Sequence, residues 1–168
     1  VETPTIQAYS IVTSSVQYKQ MNLAWTIGNG ARRVVFVKQA SSGTASPANG
    51  TRYTASSTFG VGDQIGSSGW YAVYDGLGTS TVVTRLLAGT DYRVQIFEYN
   101  GVNTTAAQYL TDSATANPIL QQTYTPITLY CNYSTGNDST GTGSSGNPYK
   151  TFHKCYTSSN GGDTLNLT

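Results

Sequence analysis

Charge is scarce in this sequence. Lys and Arg number 9 and Asp and Glu 8, 10% of 168 residues, and the formal net charge is +1. So few basic residues leave no electrostatic footprint for nucleic acid or for an anionic membrane surface. Long apolar runs are missing as well. None approaches the ~20 residues that span a bilayer, so membrane insertion is not expected. No glycine-rich phosphate loop followed by a lysine and a helix occurs, and no cofactor motif is present. The two cysteines, Cys131 and Cys155, do not stand at a metal-type spacing. They are compatible with one disulfide, hence with an oxidising compartment. The start, Val1-Glu2-Thr3-Pro4, has neither a basic nor an apolar leader region, as expected after removal of a signal peptide or in an excised segment.

Tyrosine (13) and glycine (18) are plentiful, and Ser and Thr abound. Solubility then rests on hydroxyls and amides, a style common among secreted and surface proteins. Asn-x-Ser/Thr sequons fall at Asn49, Asn103, Asn132, Asn137 and Asn166, a density expected by chance in a Ser/Thr-rich chain. The length allows one sandwich of ~100 residues and a smaller second piece.

The stretch from Leu86 to Gly101 organises the chain. Tyr92, Val94 and Ile96 alternate with Arg93 and Gln95, the period of a half-buried strand. The same alternation carries Glu98 onto the core face. An unpaired buried carboxylate is costly, so Glu98 is expected to pair with Arg32 or Arg33 on the neighbouring strand. Before the strand, Ala88-Gly89-Thr90-Asp91 reads as a turn. Tyr92 just after it suits a tyrosine corner, its hydroxyl bonded back to the incoming backbone.

Other strands read from Thr5 to Val16, from Met21 to Thr26 with Met21, Leu23 and Trp25 inward, and from Arg32 to Lys38, apolar on both faces. Gly28-Asn29-Gly30 suggests a type I′ hairpin turn. Gln39 to Gly69 is a long small-residue insertion. Trp70–Tyr74 is a short strand, and Thr79–Leu86 the next, with Val82, Thr84 and Leu86 inward. Tyr109–Ala116 supplies the last strand, and Asn117-Pro118 ends the domain.

These features resemble a fibronectin type III domain. Leu86, Thr90 and Tyr92 match that family's Leu-x-Pro-x-Thr-x-Tyr, with Ala88 in place of the proline. Trp25 in the second strand matches its core tryptophan. Trp25–Arg33, Phe59–Gly62, Val73–Gly76 and Glu98–Gly101 resemble a subclass found in large secreted bacterial proteins, over about residues 3 to 125. The resemblance implies an all-β immunoglobulin-like sandwich serving as a spacer, an adhesive module or part of a surface array, and implies no activity.

Residues 1–118 are assigned to the sandwich and 119–126 to a linker. The remainder, 127–168, runs Thr128–Cys131, a Gly/Asn/Asp/Ser loop, Asn147-Pro148-Tyr149-Lys150-Thr151, one short helix, and Gly162-Asp163-Thr164 before a last strand. This order resembles the N-terminal cap of a pectate-lyase-like right-handed parallel β-helix. The resemblance implies that Phe152, Cys155 and Tyr156 cover the apolar end of the stack, and that a Cys131–Cys155 disulfide staples the cap. Repeat architectures need neighbours, so the strand Thr164, Leu165, Asn166 and Leu167 is expected to be an assembly surface for later rungs or another copy.

Catalytic candidates are weak. The lone His153 sits on the exposed face of the short helix without a placed partner. Asn137, Asp138 and Asp163 are better turn residues than cation ligands. Trp70, Tyr71 and Tyr74 are candidates for stacking on sugar rings. Three functions follow: an extracellular structural or adhesive module without catalysis; the N-terminal part of a carbohydrate-active enzyme whose catalytic rungs lie beyond residue 168; or a glycan-binding module. The expected partners are copies of this chain, later rungs or carbohydrate.

Overall fold

Apolar Met21, Leu23 and Trp25 alternate with Asn22, Ala24 and Thr26, and this stretch is a strand with the first three buried. The computed structural model describes residues 1–101 and 106–168, which form two units, Val1–Thr123 and Tyr124–Thr168. The sequon at Asn103 lies outside the described residues. Unit one contains β1 (Tyr9–Ser14), β2 (Met21–Thr26), β3 (Arg32–Gln39), β4 (Tyr71–Gly76), β5 (Ser80–Val83), β6 (Asp91–Asn100), β7 (Gln108–Tyr109) and β8 (Ile119–Gln122). One antiparallel sheet runs β1-β2-β5 and the other β4-β3-β6, with β7 and β8 both on the far side of β6. Met21, Leu23, Val35, Val37, Val83, Val94 and Ile96 fill the space between the sheets. No described helix is long and apolar enough to cross a membrane.

The second face of the larger sheet is also covered, as the apolar run of β3 implies, although the alternation in β6 points to one buried face only. Gln95, Phe97 and Tyr99 are buried. They belong to an outer layer in which Val34, Phe36, Trp70 and Ala72 meet Ala45 and Tyr53 from the long insertion. That segment is laced down by backbone groups, with Gly50 N–H donating to the Ala107 carbonyl and Ser56 N–H to Ala72. The Ala45 N–H donates to Gln95 Oε1 at 2.7 Å. A segment poor in strand pattern is thereby fixed by aromatic anchors and by pairing to elements already formed.

Three expectations need correction. Gly28-Asn29-Gly30 does not close a type I′ hairpin: β2 and β3 belong to different sheets, and none of the three residues has positive φ. These glycines serve close approach instead, since a Cβ at Gly28 would sit 1.9 Å from the Ile6 carbonyl oxygen. In β5 the inward residue is Val83, and Val82 is 43% exposed. The register opposes Met21 to Val83, so Val83 shares the buried face. Arg85 in the left-handed region (φ 61°) then resets the alternation and turns Leu86 inward. The last strand is split into β7 and β8, so Ile119–Gln122, read as linker, is a strand paired with Asp91–Val94.

In unit two, β9 (Thr128–Cys131) and β10 (Thr164–Leu167) pair in parallel, Thr128 opposite Thr164. The crossover contains α1 (Phe152–Ser158). A Cys131–Cys155 disulfide joins β9 to this helix, and Leu129 with the two cysteines forms the buried cluster. Only Cys155 of the expected helical face is buried. Phe152 and Tyr156 are 56% and 64% exposed, stacked on each other with centroids 6.0 Å apart.

Candidate functional site

Glu98 is fully buried, its Oε1 accepting from Arg33 Nε at 3.0 Å and from the Gly28 N–H at 2.9 Å. Arg33 Nη2 reaches Oε2 at 3.3 Å. The two residues face each other in the β3–β6 register, so of Arg32 and Arg33 it is Arg33 that pairs. Gly30 makes room, because a Cβ there would lie 2.7 Å from Glu98 Oε2. The remaining Arg33 donors go to the carbonyls of Leu77, Gly78 and Gly30. Both charges have their hydrogen bonds supplied from within, which makes the pair a structural element.

Two buried amides beside it carry roles that the sequence did not signal. Asn117 Oδ1 accepts from the Ile96 N–H at 3.0 Å, and its Nδ2 donates to the carbonyls of Ile96 and Ala8, each at 2.8 Å. Gln7 Oε1 accepts from the Glu98 N–H at 2.7 Å, while its Nε2 donates to the Leu110 carbonyl at 2.6 Å. Between β7 and β8, β6 thus pairs partly with side chains. An amide carries one donor and one acceptor group and can stand in for a peptide unit.

Arg32 turns to the outer face. Its Nε donates to Asp75 Oδ1 at 3.2 Å, Arg52 holds Oδ2 at 2.8 Å, and the Tyr99 hydroxyl donates to Oδ1 at 2.6 Å. Burial, reinforced by the hydrogen bond to Asp75, pushes the Tyr99 hydroxyl up to about 12. It therefore remains a donor throughout the physiological range.

Of the proposed stacking residues, Trp70 is buried at 2% exposure in the outer layer. Tyr74 packs on Trp25 with centroids 5.3 Å apart, its hydroxyl accepting from the Gly78 N–H. Trp25 is a core residue whose indole N–H has no acceptor among the described residues. Tyr71 alone of the three lines a cleft. That cleft, about 420 Å³, lies where β3 ends and β4 begins, between Lys38, Tyr71, Arg85 and Tyr92. Beneath it the Tyr92 hydroxyl accepts from the Leu87 N–H at 2.9 Å, the tyrosine-corner contact. Burial pushes its pKa up against the lowering effect of that bond.

In unit two the acidic residues hold backbone. Asp138 Oδ1 accepts from the N–H groups of Lys150 and Thr151, and Oδ2 accepts from the Thr151 hydroxyl at 2.7 Å. Thr151 in turn caps α1 by accepting from the Lys154 N–H. Asn137 accepts from Ser139 and Thr140. Asp163 holds Ile127 N–H, Asn160 N–H and the Tyr124 hydroxyl. His153 is exposed. A second depression, about 390 Å³, is lined by Tyr133, Lys150, Phe152 and Leu167.

The strand order of unit one, three strands facing a sheet built on β4, β3 and β6, defines a fibronectin type III-like sandwich. No family model matches the chain, and no curated protein is significantly similar to it. Among solved structures it is similar to domains A168–A170 of titin, at 13% identity over 72% of this chain, with TM-score 0.42. The chain covers 32% of that titin fragment. It is also similar to a fourth fibronectin type III domain from human (14% identity, 74% of this chain and 82% of that one, TM-score 0.43). A third is the FN5 domain of Drosophila Lar, at 10% identity over 72% of this chain and 97% of that one, with TM-score 0.40. The fold assignment rests on the strand order and register described above.

Proposed function

We propose that the chain is an extracellular structural or adhesive module without catalysis, which associates through unit two. The observation that carries this reading is the apolar surface of that unit. Tyr133, Phe152 and Leu167 are 76%, 56% and 58% exposed around one depression. The far edge of β9 is taken up by Gly143 and Tyr149, whereas β10 pairs only with β9 among the described residues. Such an edge recruits a further strand, and the apolar surface beside it gives the contact its driving force. A β-helix cap has this need by construction, its partner being a later rung or another copy. The disulfide fits an oxidising compartment.

Sedimentation velocity of the intact chain across a wide concentration range tests the reading. Concentration-dependent association is expected, and Leu167→Asp or Phe152→Asp should abolish it while the sandwich melts unchanged. A chain that stays monomeric throughout would remove self-association. Release of new ends from a polysaccharide by the purified chain would overturn the non-catalytic part.

A further inference from the structure

The cleft at the end of the sandwich has a chemistry that the internal architecture does not use. Its walls include Lys38, Gln39, Phe59, Tyr71, Arg85 and Tyr92. The ion pairs among the described residues join Arg32 and Arg52 to Asp75 and Arg33 to Glu98, so neither Lys38 nor Arg85 belongs to one. Among the described residues no carboxylate lines the cleft. In the sheet register Lys38 stands directly opposite Arg93, and like charges so placed repel. Arg93 is in contact with the Gly43 carbonyl and supplies no counter-charge. Lys38 and Arg85 are thus two cations lining one concavity with no acidic side chain among its walls, and such a place favours an anion.

Two features make this a shaped site. Arg85 has φ 61°, a left-handed conformation that disfavours any residue carrying a Cβ. It is fixed from both sides: the Thr84 N–H donates to Ser57 O, and the Leu86 N–H to Lys19 O. The ring of Phe59 meets those of Tyr71 and Tyr92 edge to face, at 5.4 and 5.3 Å, forming a rigid aromatic wall. The volume of about 420 Å³ is in the range of small-molecule sites. An added peptide strand does not fit. β3 is flanked by β4 and β6, and the outer edge of β4 at Tyr71 is bridged by Gln64, so among the described residues neither β3 nor β4 offers an open edge to the cleft.

We propose that this cleft binds an acidic saccharide, its carboxylate between Lys38 and Arg85 and a pyranose face against Tyr71 and Phe59. The planar guanidinium suits bidentate recognition of a carboxylate. The amide of Gln39 adds a polar group at the rim. The site lies wholly within unit one, so its failure leaves the association surface of unit two untouched, and the reverse.

Calorimetric titration of the intact chain with trigalacturonic acid, and with galactotriose as the uncharged counterpart, tests the proposal. The acid should bind, more weakly as salt is added, and the neutral sugar at least about tenfold more weakly. Arg85→Gly relieves the backbone conformation, keeps the fold, and should weaken binding about tenfold or more. Lys38→Gln should act in the same direction, and Tyr71→Ala should weaken the saccharide without affecting acetate. Equal binding of galactotriose would overturn the role of the cations. Equal competition by acetate or by an oligo-aspartate peptide would overturn the saccharide. Absence of binding by trigalacturonic acid, with the chain folded by circular dichroism, would overturn the proposal altogether.

Discussion

The two units are held together by different means. Unit one buries large side chains on both faces of its central sheet, including Tyr92, Tyr99, Phe36 and Phe97, each worth about 1.5–3 kcal/mol on transfer from water. It can therefore carry a buried ion pair and two buried amides, whose hydrogen bonds select one arrangement. Unit two, Tyr124–Thr168, has Leu129, Cys131 and Cys155 as its buried cluster. Segments of this size rarely bury enough apolar area to fold alone. A covalent bond and carboxylates on backbone N–H groups take the place of a large core. The contrast predicts that the same class of perturbation acts on one unit and spares the other.

The largest effect is expected in the sandwich. Arg33→Met strips Glu98 of its partner inside a dry layer, and breaking such a pair costs about 3–5 kcal/mol. Chemical denaturation followed by tryptophan fluorescence measures it, since Trp25 and Trp70 are both in unit one. Adding Glu98→Gln to this variant should recover part of the loss. A change below about 1 kcal/mol, the scale of an exposed pair, would mean that the pair is solvated.

Reduction of Cys131–Cys155, or replacement of both by Ala, comes next and falls on unit two. The cysteines are 24 residues apart, and closing a loop of this order limits the unfolded chain by about 3 kcal/mol. Hydrogen exchange should show the amides of β9 and β10 losing protection while those of β3 and β6 keep it. Equal protection before and after reduction would show that unit two does not depend on its staple.

Asn117→Ala is a smaller probe of the sandwich. The Ile96 N–H, buried in the middle of β6, loses its acceptor, at a cost of about 1–3 kcal/mol. Exchange should accelerate first at Ile96. A variant as stable as the parent would show that backbone from the 110–118 segment can close onto β6.

How far these elements can be read from the sequence follows the same contrast. Alternation marks β2 and β6 because one side of each faces a core shared with residues far along the chain. Glu98 is legible as a continuation of that period, and the register then selects Arg33 over Arg32. The outer layer is harder to read. Residues 40–70 show no period, and Tyr53 and Trp70 gain burial only from the sheet they cover. Gln7 and Asn117 are invisible for a related reason, since an amide that replaces a peptide unit leaves no spacing signal. In β5, alternation counted past Arg85 places Val82 and Thr84 inward, because a positive φ in a non-glycine residue is not legible locally. The cleft residues come from five separate segments and meet only in the folded chain.

The smallest expected effect concerns acid and sharpens the contrast from the other side. The side-chain hydrogen bond from Thr151, with backbone N–H groups of Thr151 and Lys150, holds the Asp138 carboxyl below its ordinary value of 3.8. At Asp163 burial acts to raise the pKa, but the N–H groups of Asn160 and Ile127 and the Tyr124 hydroxyl outweigh it, and the net shift is again downward. A carboxylate whose folded pKa is depressed stabilises the fold above its unfolded pKa, and that contribution is lost as pH falls through the folded value. Unit two should therefore keep its full stability down to about pH 4 and lose it progressively below that, as the Asp138 and Asp163 carboxylates are protonated. Exchange in β10, measured at descending pH, isolates the second unit. Asp138→Asn and Asp163→Asn should each flatten its acid dependence by weakening the unit at neutral pH. If both variants retained the parent's profile, neither carboxylate would be holding the backbone as the hydrogen bonds indicate.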